Sequence, residues 1–140
     1  MKKTILITAI ISLAVVSCKD KEKEQPKPSL SARQTMLIGK DWKIKSVVSE
    51  GSDITPILPG CVKDNIIYHF NDATSGYYDE GATKCETTDP QRTNISWALI
   101  NNETRIITSD PDGKDTFNIL NLTATEFKLG IDKDVITLKN

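Results

Sequence analysis

Residues 93–109 read Thr93-Asn94-Ile95-Ser96-Trp97-Ala98-Leu99-Ile100-Asn101-Asn102-Glu103-Thr104-Arg105-Ile106-Ile107-Thr108-Ser109. In the first half, Ile95, Trp97 and Leu99 fall on one face of a period-2 pattern, the signature of a half-buried strand. Asn101-Asn102-Glu103 is a polar turn, and Thr104 to Ser109 returns beside the first run. Asp110-Pro111-Asp112-Gly113 follows as another turn, because Pro presets φ and Gly tolerates φ > 0. The same alternation of strand and short turn continues downstream. Thr116–Leu122, Glu126–Ile131 and Val135–Lys139 are strands, parted by Thr123-Ala124-Thr125 and Asp132-Lys133-Asp134.

Upstream the pattern holds. Asp41 to Val48 alternates apolar and polar residues, with Trp42 and Ile44 on one face. Asn65 to Phe70 is a second strand, Asn71 to Thr74 its turn, and Gly76 to Asp79 pairs back as a third. A short helical turn over Ala32–Ile38 ends at Gly39, a residue suited to a helix C-terminus. After residue 17 the chain carries thirteen Ile, four Val and thirteen Thr, against thirteen Ala and Leu together. That bias favours pleated strands over helices. Short connections imply antiparallel neighbours, since a parallel pair needs a long crossover. The expected fold is therefore all-β. An eight-stranded antiparallel meander closes into a β-barrel, which removes its exposed edges, with a short N-terminal helical turn.

Further pieces carry a family resemblance. They are Leu37-Ile38-Gly39-Lys40-Asp41-Trp42, Cys61-Val62-Lys63-Asp64-Asn65 leading to Tyr68 and Phe70, and Gly81-Ala82-Thr83-Lys84-Cys85. Ser96-Trp97 and Ile119-Leu120-Asn121-Leu122-Thr123 complete the set. From about Met36 onward the chain resembles the bacterial lipocalin-like domains carried by small lipoproteins. The resemblance implies a lipocalin-like barrel. Its motifs mark strand starts and the paired cysteines, and none is catalytic.

The N-terminus reads as an address. Lys2 and Lys3 precede an apolar run, Ile5 to Val16, shorter than the roughly 20 residues that span a bilayer. Val15-Val16-Ser17-Cys18 resembles a bacterial lipobox, in which the thiol of Cys18 takes a thioether-linked diacylglyceryl group with palmitate-type chains. An ordinary secretory signal with a chance Cys is the alternative. The organisation expected is a signal peptide over 1–17, a lipidated Cys18 with a flexible tether over 18–32, and a barrel domain over 33–140. The tether, Lys19 to Pro28, has no apolar residue and cannot bury enough surface to fold. Lys19 after Cys18 favours the outer membrane, and the acidic residues beyond it resemble an export signal for surface display.

Composition narrows the function. At 140 residues there is room for one domain. Eighteen Lys and Arg against nineteen Asp and Glu give a net charge of −1, which offers no electrostatic case for nucleic acid. With Cys18 lipidated, Cys61 and Cys85 remain, and an oxidising compartment favours a disulfide between them. Their separation of 24 residues corresponds to about 3–4 kcal/mol of loop-closure stabilisation. A thiol metal site would lack further ligands, and a redox pair would favour C-x-x-C.

His69, the only His, lies opposite Tyr68 and Phe70 in its strand and reads as an ordinary packing or surface residue. No Ser has a nucleophile context, so no catalytic residue, metal or cofactor is expected. Asp110, Asp112 and Asp115 faintly resemble a calcium loop but lack the distal Glu. Asp79, Glu80 and Glu86 read as a solvated acidic rim. The sequons at Asn94, Asn102 and Asn121 are chance matches in a bacterial lipoprotein.

Trp42, Tyr68, Phe70, Trp97, Phe117 and Phe127 are the aromatics available to the barrel interior. They either fill it or line a site for one small apolar ligand. Two functions follow. One is a lipid-anchored binding module. The other is a solid barrel contacting an envelope protein or glycan through the loops Glu50 to Lys63 and Gly81 to Arg92.

Overall fold

The computed structural model describes residues 29–63 and 66–140. The expected signal peptide, Cys18 and most of the tether lie outside the described residues, as do Asp64 and Asn65. A short helix, α1 (Ala32–Leu37), opens the described chain. It is held by a reciprocal cap: Ser31 Oγ accepts from Gln34 N at 3.1 Å, and Ser31 N donates to Gln34 Oε1 at 3.0 Å. Gly39 turns the chain out with φ 74°, a left-handed conformation cheap only for glycine.

Strand β1 (Asp41–Ser49) follows, then the two-residue strand β2 (Ser52–Asp53) and a second short helix, α2 (Gly60–Lys63). Strands β3 (Ile67–Phe70), β4 (Ser75–Asp79), β5 (Arg92–Ile100) and β6 (Arg105–Ser109) come next. Strands β7 (Lys114–Leu122), β8 (Glu126–Ile131) and β9 (Asp134–Lys139) complete the set. Each pairs antiparallel with the next from β3 to β9, and β1 pairs with both β3 and β9. The result is a closed, eight-stranded antiparallel barrel with β2 as an extra flap on the end of β1. The expected architecture is present.

The segment expected as a plain loop, Glu50 to Lys63, instead holds β2, a 3-10 turn over Thr55–Ile57, and α2. Short-range bonds stabilise it: Thr55 Oγ1 accepts from Val47 N at 2.9 Å, and Asp53 Oδ1 accepts from Thr55 N at 2.9 Å.

The two ends of the barrel differ. At one end α1 crosses beneath the strands. Arg33 Nη1 donates to the Glu103 carbonyl in the β5–β6 turn, and Lys40 Nζ to the Ala124 carbonyl in the β7–β8 turn. Leu37 from α1 is wholly buried with Trp42, and Phe70, Trp97 and Phe127 complete an aromatic floor. Phe70 lies 4.8 Å from Trp97 and 6.5 Å from Phe127 between ring centroids, in tilted and edge-on arrangements.

Turn chemistry partly follows expectation. Asn101, Asn102 and Glu103 all take positive φ. Gly113 does not; its turn is built by Asp110, whose Oδ1 accepts from the backbone N–H of Asp112 and Gly113. The closest glycine approach is elsewhere. A Cβ on Gly76 would collide with the His69 carbonyl oxygen across the β3–β4 pair. Two bulges break strict alternation, one between Ile44 and Ser46 and one between Ile119 and Asn121.

Candidate functional site

The interior follows from cross-strand pairing. Residues directly opposite in antiparallel strands present their side chains to the same face. Phe127 pairs with Leu138 and Leu129 with Ile136. Ile106 pairs with Phe117 and Thr108 with Asp115, while Tyr68 pairs with Tyr78. These pairs line a cavity of about 300 Å³, above the aromatic floor and towards the end away from α1. That volume is at the lower end of small-molecule pockets, which run about 300–1,000 Å³. Its lower wall is apolar, with Phe70, Ile95, Ile106, Phe127 and Leu138; Glu80, Thr108, Asp110 and Asp115 stand among its upper lining.

Four of the six aromatics singled out in the sequence line this cavity: Tyr68, Phe70, Phe117 and Phe127. Trp42 and Trp97 are buried as expected but do not line it. Their indole N–H groups hold them at the closed end. Trp42 Nε1 donates to the Leu37 carbonyl at 3.1 Å, and Trp97 Nε1 to the carbonyls of Asp72 and Ser75 at 3.0 and 3.1 Å. Tyr78 was missed, although its alternation with Gly76 and Glu80 placed all three on one face.

Glu80 corrects the reading of a solvated rim. Its residue is 6% exposed and lines the cavity, with its Oε2 3.5 Å from the backbone N of Cys85. Asp79, one residue earlier, faces the opposite way. It accepts from Arg92 Nε at 2.6 Å, from Gln91 Nε2 and from Gly81 N, and these bonds hold its carboxyl down to about 2. Tyr68 is shifted the other way: burial pushes its phenol up, helped by Tyr78, Glu80 and Asp115 nearby.

Cys61 and Cys85 form a disulfide with Cα atoms 5.2 Å apart. It joins α2 to the loop after β4, beside the mouth. His69 lies on the outer face, where Nδ1 sits 2.7 Å from Asp41 Oδ1 and the ring stacks 5.0 Å from Tyr77. Arg92 lies over the other part of this array, 4.5 Å from the Tyr77 ring. Among the described residues no group of three or more His, Cys, Asp or Glu side chains is arranged to hold a metal ion. The Asp110 oxygen of the calcium-like string is spent on its own turn.

A closed antiparallel meander with an apolar interior reached from one end is the architecture of lipocalin-type barrels. The chain belongs to the lipocalin-like domain family, whose family model matches residues 37–129. Solved structures agree on the fold. A lipocalin-like protein from Bacteroides uniformis superposes with a TM-score of 0.56 at 13% identity, over 75% of this chain and 98% of that one. An uncharacterized protein from Bacteroides eggerthii gives 0.51 at 13% identity, over 74% and 99%. No curated protein matches the sequence.

Proposed function

We propose that this chain is a lipid-anchored envelope protein whose barrel binds one small, largely apolar molecule. The observation that supports the reading is the cavity itself, about 300 Å³, with an apolar lower wall above a packed aromatic floor. Water held against such a wall gains little, so an apolar body that displaces it is favoured by burial. Among the described residues the lining holds no His or Cys, and His69 is engaged on the outer face. The alternative, a solid barrel acting only through its loops, is weakened by the space inside.

The anchor in this reading is Cys18, which would hold the barrel at the outer membrane on the tether that begins with Lys19 to Pro28. Several acyl chains on one Cys give a stable anchor, since about 0.8 kcal/mol per buried CH₂ accumulates across chains. Two experiments test the two halves. Solvent extraction of the protein purified from its envelope, followed by mass spectrometry, should yield a reproducible small molecule at near-stoichiometric amount. Recovering none would count against the binding half. Metabolic labelling with an alkyne fatty acid should tag the wild type and not Cys18→Ser. Equal labelling of both would remove the anchor.

A further inference from the structure

The titratable groups lining the cavity are of one sign. Among the described residues Glu80, Asp110 and Asp115 contribute to the lining, and no Lys, Arg or His does. Three cations at this end are engaged elsewhere: Arg92 with Asp79 on the outer face, Lys133 with Glu50, and Lys84 with the Asp89 carbonyl. Lys114 precedes Asp115 in β7 and so points to the opposite face. Tyr68 and Tyr78 share this lining, ring centroids 6.3 Å apart. Both tyrosines line the cavity and are cross-strand neighbours on its face. Asp115 is exposed, with no ion-pair partner among the described residues.

We infer that the cavity takes a molecule with an apolar body and an ammonium head. The body lies against Phe70, Ile106, Phe127 and Leu138, and the head sits at Asp115 and Glu80 between the tyrosine rings. The inference rests on the reading of the cavity as a ligand site. Three arguments converge on it. Carboxylates at a partly desolvated mouth attract a cation more strongly than bulk water screens it. The negative faces of tyrosine rings add cation–π attraction. A fatty-acid carboxylate at the same place would meet the like charges of Asp115 and Glu80, which disfavours it.

The test uses three probes that share a decyl chain and differ only in the head: decylammonium, decanol and decanoate. Each is titrated calorimetrically into the purified protein at neutral pH. Decylammonium should bind at least about tenfold more tightly than decanoate, with decanol between them, and added salt should narrow the gap. Asp115→Asn, at an exposed position, should weaken decylammonium severalfold and change decanol far less. Glu80→Gln should do the same, and serves as the second variant because Glu80 also faces the backbone of Cys85.

Decanol binding with decanoate equal to or tighter than decylammonium would overturn the headgroup inference while leaving the cavity reading standing. An unchanged preference in both variants would overturn it too. Binding of none of the three would remove the cavity reading and this inference together.

Discussion

The indole Nε1 of Trp42 donates to the backbone carbonyl of Leu37 at 3.1 Å, and both residues are wholly buried. One bond thus ties the C-terminal end of α1 to the start of β1 and seals the closed end of the barrel. The Trp42 ring also meets Phe127 edge-on at 5.7 Å, so the same side chain supports the cavity floor from below.

Removing that side chain should be costly. Trp42→Ala should lower stability by about 3–5 kcal/mol, the range for a large aromatic deleted from a packed core. Trp42→Phe keeps most of the apolar area but leaves the Leu37 carbonyl without its donor, and should cost about 1–3 kcal/mol. Urea unfolding of the two variants beside wild type measures both. A Trp42→Ala loss below that of Trp42→Phe would show that the floor is not packed as described.

The disulfide should matter thermodynamically. Cys61→Ser or Cys85→Ser should lower stability by about 2–5 kcal/mol, and the double variant by no more than either single one, since one bridge is lost in every case. Denaturant midpoints compare the three. Peptide mapping without reductant should recover the two cysteines in one linked pair.

Acid should weaken the fold through two carboxyls. Asp72 is held down to about 2, first by the Ser75 hydroxyl and then by the backbone N–H groups of Thr74 and Ser75. Asp79 is held to about 2, first by Arg92 and then by Gln91 and Gly81. A carboxyl whose native value lies below its unfolded value stabilises the fold fully above the unfolded value. That contribution is lost as pH falls from about 4 towards about 2. Asp72 is exposed, so its effect is modest. Asp72→Asn should lower stability at neutral pH and flatten its fall across that window. An identical pH profile for wild type and Asp72→Asn would contradict the assignment.

The strands were legible in the sequence because two local signals agreed. Period-2 alternation placed Trp42, Ile95 and Trp97 inside, and polar turn residues parted the runs. What escaped depended on non-local geometry. Strict alternation puts Leu120 on the same face as Leu122, yet the bulge between Ile119 and Asn121 leaves Leu120 53% exposed while Leu122 packs against the core.

The site was legible in part. Tyr68, Phe70, Phe117 and Phe127 were drawn from the sequence as interior aromatics, and they do line the cavity. Whether Trp42 and Trp97 joined them turned on which carbonyls their indoles reach, and those carbonyls belong to α1, the β3–β4 turn and the first residue of β4. Glu80 was misread because a charged residue beside a loop is usually solvated. Its strand parity with Tyr78 carried the correct placement.

The central claim is that the barrel interior is a binding site for an apolar molecule. Fluorescence titration of an environment-sensitive apolar probe into the wild type and into Thr108→Trp tests it most directly. Thr108 lines the cavity beside Asp115 on the neighbouring strand, so an indole there would occupy the upper cavity. Saturable one-site binding to the wild type, lost in a Thr108→Trp variant that unfolds as a single cooperative transition, is the predicted result. Non-saturating uptake by the wild type, or equal one-site binding by the two proteins, would contradict the account.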